Sequence, residues 1–340
     1  MSQRRSPMEK RFVTQADVAK QAGVSRPLVS LVMRGSPKVS DEKRERVLQA
    51  AQELGYIGSS IATSMAGNRD RPVIGFLSQS LSNGFFTDIY RGIQKVAEPS
   101  GCILVVMEGS LDPKKEDSSL RNLVSLRPHG IILAGYAGST YALKAASSTI
   151  PFVSVTRDIS DHNVSSIVCN DFDGGVMATN HLVEQGHERI LHLALPKEIP
   201  YRQRAKGYLQ AMEAANLQPN IRHVQQTEEA GRAAALQVFT DSPGEYPTAI
   251  FCASDAIALG VLDAFRGLGV KTSDCAVVGF DNITEAERLG LSSVDQKSQL
   301  QGSLAAKRLL RLLNQECDEP PSMVQVIDPQ LIVRETSLTT

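Results

Sequence analysis

The chain has no Trp, and aromatic residues make up 5% of its 340 positions. That scarcity excludes no fold class, but it leaves few candidates for a ligand-stacking platform. No run of about 18 apolar residues occurs, which argues against a membrane-spanning helix. The stretch Met1 to Phe12 is basic and polar and lacks the apolar centre of a secretory signal, so the expected location is the cytoplasm. The five cysteines (Cys102, Cys169, Cys252, Cys275 and Cys317) are scattered, with no CxxC pair. They read as reduced, small hydrophobic side chains rather than disulfides or metal ligands. There is no GxSxG elbow, no HExxH, no GxxxxGK[ST] phosphate loop and no GxGxxG after the first strand-like run, which argues against the corresponding enzymes. The six His residues show no metal spacing. No catalytic residue, metal or cofactor is expected.

What is present is uneven in charge. Residues 1–70 hold 12 Lys and Arg against 7 Asp and Glu, a net +5, although the whole chain is at −1. A basic head on an acidic body suits a nucleic-acid-binding module, because neutralising phosphates drives affinity. Charge alone leaves a solvated basic terminus equally open.

Periodicity locates three short helices in that head. Thr14 and Asp17 form a capping-box pattern ahead of a stripe of Val18, Ala19 and Ala22, and Gly23 stops the first helix. Ser25 can cap a second helix, with Pro27 in its first turn and Leu28, Val29 and Val32 on its buried face; Gly35 ends it. A third begins at Ser40, with Val47, Leu48, Ala51 and Leu54 as its apolar face and Gly55 at its end. Two helices joined by a tight Gly-containing turn make a helix-turn-helix.

From Val73 the pattern changes. The runs VIGFL (73–77), CILVVM (102–107), GIILA (130–134) and FVSV (152–155) alternate with helical stretches. RILHLA (189–194), AIFCA (249–253) and AVVGF (276–280) form a second series. Short apolar runs spaced for βαβ units predict two doubly wound parallel-sheet lobes, with ligands bound at the strand carboxyl ends and in the cleft between lobes.

The segment Thr14–Gly35, TQADVAKQAGVSRPLVSLVMRG, resembles the head of the LacI/GalR family of bacterial transcription regulators, and VSDEKRERVLQAAQELGYIG continues the likeness. SNGFF (82–86), HLVEQGHERI (181–190), RAKGY (204–208), ASDAIALG (253–260) and VVGFDN (277–282) extend it through a body similar to periplasmic sugar-binding proteins. The resemblance implies an α/β architecture: a three-helix head at 1–57, a hinge helix and linker at 58–71, and an effector-binding and dimerisation domain at 72–340. Lobe 1 is placed at about 72–167 and 296–325, lobe 2 at about 168–295 and 326–340.

It also implies roles. The second helix enters the major groove, and Arg26 faces a guanine edge, the alternative being a phosphate contact. Thr14, Ser25, Ser30 and Arg34 hold phosphates. Pro27 and Leu31 stand where the family carries polar readers; Leu31 meets a thymine methyl or packs internally. In the hinge, GSSIATSMAG (58–67), Met65 takes the place of the family's minor-groove wedge. For the effector the resemblance points to Phe85, Phe86, Phe251, Ser254, Asp281, Gln296 and Arg204, whose fork can clamp hydroxyls or a carboxylate. One of the two phenylalanines is read as core. Thr156 stands where many members carry a sugar-binding aspartate. Asp255 is read as a helix cap rather than a ligand contact.

The expected function is that of a repressor that binds a near-palindromic double-stranded operator as a homodimer and is controlled by a small-molecule effector, a sugar or sugar derivative. Dimerisation is placed on body helices, including 86–98 and 299–314. No membrane partner is expected. A solute-binding protein of a transport system and a sugar-converting enzyme are the readings from other classes.

Overall fold

A computed structural model describes residues 13–33, 36–56, 71–148, 150–195, 201–241, 246–315 and 322–338. The chain divides into two units, Met1–Asp70 and Arg71–Thr340. Arg34, the hinge segment with Met65, and Cys317 lie outside the described residues.

In the head, helices α1 (Gln15–Ala22), α2 (Arg26–Met33) and α3 (Asp41–Leu54) enclose Val18, Ala22, Val29, Val32, Val47 and Ala51. Thr14 and Asp17 close the capping box in both directions: the Asp17 amide donates to Thr14 Oγ1 at 3.3 Å, and the Thr14 amide to Asp17 Oδ2 at 2.8 Å. Gly23 ends α1 at φ +65°, a conformation open to a residue without Cβ. The carbonyl of Ala22 is taken by Arg46 Nη2 from α3 at 2.7 Å. One expectation for α3 fails. Leu48 is exposed, and Ala50 is buried with Val47 and Ala51, because the contact with α1 follows the 47–50–51 ridge.

The body contains two six-stranded sheets. The first uses β1 (Val73–Ser78), β2 (Ile103–Glu108), β3 (Gly130–Ala134), β4 (Phe152–Val155), β5 (Ser165–Cys169) and β11 (Val324–Ile327), in the order β11-β5-β4-β3-β1-β2. The second uses β6 (Ile190–Ala194), β7 (Asn220–His223), β8 (Ala249–Cys252), β9 (Ala276–Asp281), β10 (Ser292–Asp295) and β12 (Gln330–Ile332), in the order β12-β10-β9-β8-β6-β7. Every pairing is parallel except β10 with β12. The apolar runs marked seven of these strands. The other five are short or polar. Ser165 in β5 receives Arg308 Nε, and Ser292 in β10 donates to the Arg334 carbonyl, so their burial is satisfied by hydrogen bonds that a hydrophobic pattern does not show.

The chain passes between sheets three times: after β5 at Asn170, between β10 and α12 (Ser298–Asn314), and between β11 and β12. The first and third crossings fall a few residues beyond 167 and 325, because the β5–β11 ladder continues to the pair Cys169–Ile327.

Helices cover both faces of each sheet. In the first lobe, α4 (Gly84–Ala97) and α12 cover one face, while α5 (Pro113–Ser125) and α6 (Thr140–Ser147) cover the other. In the second, α7 (Asp171–Glu184) and α8 (Tyr201–Ala214) oppose α9 (Glu228–Asp241) and α10 (Asp255–Leu268), and the short α11 (Thr284–Arg288) follows β9. Three helix pairs approach at reciprocal glycines. A Cβ on Gly92 of α4 would lie 2.0 Å from the Gln299 carbonyl oxygen of α12, and one on Gly302 would lie 2.1 Å from that of Ile89. Gly175 and Gly207 do the same for α7 and α8, and Gly231 and Gly260 for α9 and α10. The helices at 84–97 and 298–314 therefore use their glycine faces on each other.

Ala is ordinarily better than Gly in a helix by about 1 kcal/mol, but here the neighbour is backbone and cannot yield. Gly302→Ala is expected to lower stability by about 2 kcal/mol. Gly267→Ala in α10, where a Cβ would meet nothing within 4 Å, is expected to raise it by up to about 1 kcal/mol. Urea denaturation of both variants measures the contrast.

Candidate DNA-reading head and effector cleft

The start of α2 presents Ser25, Arg26 and Pro27 to solvent, while Ser30 and Leu31 are half-buried. Leu31 packs against the head core, the internal alternative named for it. The carbonyl of Ser25 accepts the Leu28 and Val29 amides at 3.0 and 3.2 Å, so the first turn of α2 is fixed and Arg26 projects from its N-terminal end. Thr14 is exposed, with its hydroxyl donating to Asp17 at 2.7 Å.

In the body, an open cavity of about 970 Å³ lies between the strand ends of the two lobes. The first lobe contributes Gln79, Asn83, Phe86 and Arg91; the second contributes Gln226, Glu228, Glu229, Glu285 and Arg288. The lobes touch beside it: a Cβ on Gly84 would lie 3.3 Å from both Glu285 Oε2 and Ile283 Cβ. Phe86 reaches the cavity, whereas Phe85 does not line it and packs edge-on against Phe86 at 5.2 Å. Both rings belong to the first-lobe core, and Phe86 also forms part of the cavity wall.

Beneath the second lobe's strand ends lies a buried polar cluster. Arg204 on α8 is fully buried, and its Nε donates to Asp171 Oδ1 at 2.7 Å. Nη1 donates to the Ala253 carbonyl and lies 3.8 Å from Asp281 Oδ1. The guanidinium sits 3.7 Å over the Phe280 ring and 5.2 Å from the Tyr201 ring. Gln296 donates to Asp281, and Gln301 Nε2 donates to the Gln296 carbonyl at 2.7 Å. Arg204, Asp281 and Gln296 are thus brought together, with Asp171 at the first crossing and Gln296 at the second. Tyr201 links the cluster to the cavity, its hydroxyl donating to Gln226 at 2.9 Å.

Three of the expected effector contacts stand apart from that cluster. Phe251 is completely buried and stacks on His192 at 4.5 Å among the α7–α8 core residues. It is a core ring and has no face for a ligand, because its strand position turns it away from the cleft. Thr156 donates its amide to the Ile167 carbonyl at 2.9 Å and sits at φ +75°, unusual for a β-branched residue. Ser254 precedes α10 without capping it, and its buried hydroxyl has no partner among the described residues. Asp255 caps nothing through its side chain. It receives the Ile283 amide at 2.9 Å and the Ser293 hydroxyl at 2.6 Å, tying β9 and β10 to α10. Sequence reasoning missed Asp171, Tyr201, Gln226 and Gln301. Asp171 follows a strand that the apolar pattern did not reveal, and the other three are placed only by packing.

The cluster holds more carboxylates than cations. Burial pushes the Asp255 carboxyl up to about 6 and raises that of Asp281 well above its ordinary value, against the lowering effect of Arg204. Burial also lowers His192 to about 4. Among the described residues no group of His, Cys, Asp and Glu is placed to hold a metal ion, and no helix is long and apolar enough to cross a membrane.

A helix-turn-helix head ahead of a two-lobed, parallel-stranded body with a polar cleft defines a ligand-responsive DNA-binding regulator. Residues 14–59 match the bacterial regulatory proteins of the lacI family, and residues 71–328 match the periplasmic binding proteins and sugar binding domain of the LacI family. The chain belongs to the LacI family of transcription regulators. The ribose operon repressor of Haemophilus influenzae is 29% identical over 333 residues, covering 96% of this chain and 98% of that protein. The crystal structure of the lac repressor dimer bound to operator and the anti-inducer ONPF is similar at a TM-score of 0.77 and 28% identity, covering 96% and 100% of the two chains. The complex of the transcriptional regulator CelR with cellobiose is similar at 0.69 and 28%, covering 95% and 99%.

A carboxyl whose value is raised on folding stabilises the fold at low pH and loses that contribution as pH rises through its folded value. Asp255 therefore costs stability between its ordinary value of 3.8 and about 6, by roughly 3 kcal/mol. Asp255→Asn keeps the shape without titrating. Relative to this variant, the parent protein is expected to lose stability from pH 4 to pH 6 and then level off, as read by urea midpoints across that range.

Proposed function

We propose that this chain is a repressor that binds a two-fold symmetric operator as a homodimer, with Arg26 as its principal base reader, and that a neutral, hydroxyl-rich small molecule in the body cleft controls it. The work takes place in the cytoplasm. The carrying observation is the coupling of the two parts of the effector site. The open cavity meets the Arg204 cluster through Gln226 and Tyr201, and that cluster stands on two of the three lobe crossings. A ligand that changes the lobe arrangement acts on the DNA-bound state only through its differential affinity for the two arrangements.

Charge supports the ligand class. The cavity's Arg91 and Arg288 are offset by Glu228, Glu229 and Glu285, so a phosphate or carboxylate finds no excess of cations. Arg204 already carries Asp171 and approaches Asp281. Amides, hydroxyls and the face of Phe86 suit a sugar ring. The unpartnered Ser254 hydroxyl is a further polar atom that such a ligand can satisfy. Thr14, Ser25 and Ser30 are assigned to phosphates and Pro27 to the groove wall.

Selection from random duplexes is expected to return two symmetric half-sites; an asymmetric or absent preference rejects the operator reading. Arg26→Ala is expected to relax one base pair per half-site by about 1–3 kcal/mol. Thermal shifts of the full chain with neutral sugars, sugar phosphates and nucleobases test the ligand. Neutral sugars are expected to raise Tm, whereas a response confined to phosphates overturns the assignment. Arg204→Lys, which keeps the buried charge but loses the fork, is expected to weaken the sugar response at least tenfold in a variant that still folds.

A further inference from the structure

The first sheet ends in an edge strand. Among the described residues β11 pairs only with β5. The Met323 and Ile327 carbonyls accept the Ser166 and Asn170 amides at 2.7 and 2.9 Å. Strand groups alternate, so the amide and carbonyl groups of Val324 and Val326 point to the unpaired side. Their side chains are 41% and 55% exposed. Edges of this kind are ordinarily blunted by a lysine, a proline or a covering element, and β11 itself carries neither residue.

Beside this edge, α12 and β11 enclose a groove of about 520 Å³. Its apolar surface comes from Leu304, Met323, Val324 and Val326, and its charged surface from α12. Lys307 and Arg311 are exposed one turn apart, and Arg308 is buried with Nε on Ser165 Oγ at 3.0 Å. Among the described residues no carboxylate lines the groove, in contrast to the effector cavity.

We propose that this groove is a docking site for an extended, acidic segment of a partner protein, which adds as a strand to the open edge of β11. Main-chain bonds to Val324 and Val326 supply the register. Alternate apolar side chains of the segment enter the groove, and its carboxylates meet Lys307 and Arg311. Nucleic acid suits the site less well, because a phosphate backbone has no use for two valines and a free strand edge. A regulator with such a site reads a protein signal independently of its small-molecule effector.

The test uses the full chain and a fluorescein-labelled short peptide alternating valine with glutamate, at low salt. Saturable binding is expected, weakened about tenfold or more by Lys307→Glu/Arg311→Glu and abolished when alternate peptide nitrogens are methylated. Hydrogen exchange at Val324 and Val326 is expected to slow in the complex. Melting temperature and operator binding, unchanged in the double variant, show that the body is intact. Equal binding of a lysine-for-glutamate peptide or of the methylated peptide overturns the proposal. So does a random DNA duplex whose binding depends on the same two residues. Glu316, Asp318 and Glu319 lie between α12 and β11 in sequence. If the peptide binds only after all three are changed to amides, the groove serves this chain's own acids and the partner is rejected.

Discussion

The body is organised around one buried guanidinium. Arg204 can leave water only because Asp171 and Ala253 accept its hydrogens, Asp281 lies within reach and Phe280 covers its face. An unpaired charge at this depth costs several kcal/mol. That requirement fixes where α7 starts, where β8 and β9 end and where Gln296 sits; the first and last of these are points at which the chain changes lobes. The same group stands between the cavity, reached through Tyr201 and Gln226, and the crossings.

Helix pairing imposes a second constraint. Each of the three glycine pairs lets two helix backbones approach to a distance that a single methyl would prevent. Gly207 belongs to both constraints. It lies one turn after Arg204 on α8, so the Arg-x-x-Gly spacing is a charge centre followed by the close approach that holds its helix against α7.

The head shows how local chemistry becomes a reading surface. The capping box and Gly23 set the length of α1, Arg46 secures the turn, and the first turn of α2 is left exposed. Nothing in this sequence of steps needs the body. The three helices close on a core of small and β-branched residues, and Arg26 is placed by the direction of α2.

How much could be read in advance follows the range of the interaction. The α1 capping box, the stops at Gly23 and Gly55, the seven apolar strands and the head and body pattern depend on residues within a few positions of one another, and they were legible. Phe85 and Phe86 were half-legible: adjacency marked the pair, while packing buried both rings and turned Phe86 to the cavity wall. Phe251 misled, because its place in a strand next to the site says nothing about which face the ring takes. Leu48 misled by one position for the same reason. Asp171, Tyr201, Gln226 and Gln301 had no signal strong enough to select them. The first three take their roles from partners 25 or more residues away, as in Tyr201 with Gln226 or Arg204 with Asp171, and Gln301 takes its role from the crossing at Gln296, which follows a strand too polar to see. Local order alone settled the family, the head and the sheet-forming segments, since short-range sterics and periodicity decide those. The composition of the buried cluster and the open edge of β11 arose only when distant segments met, since desolvation and strand pairing act between groups that the linear order keeps apart.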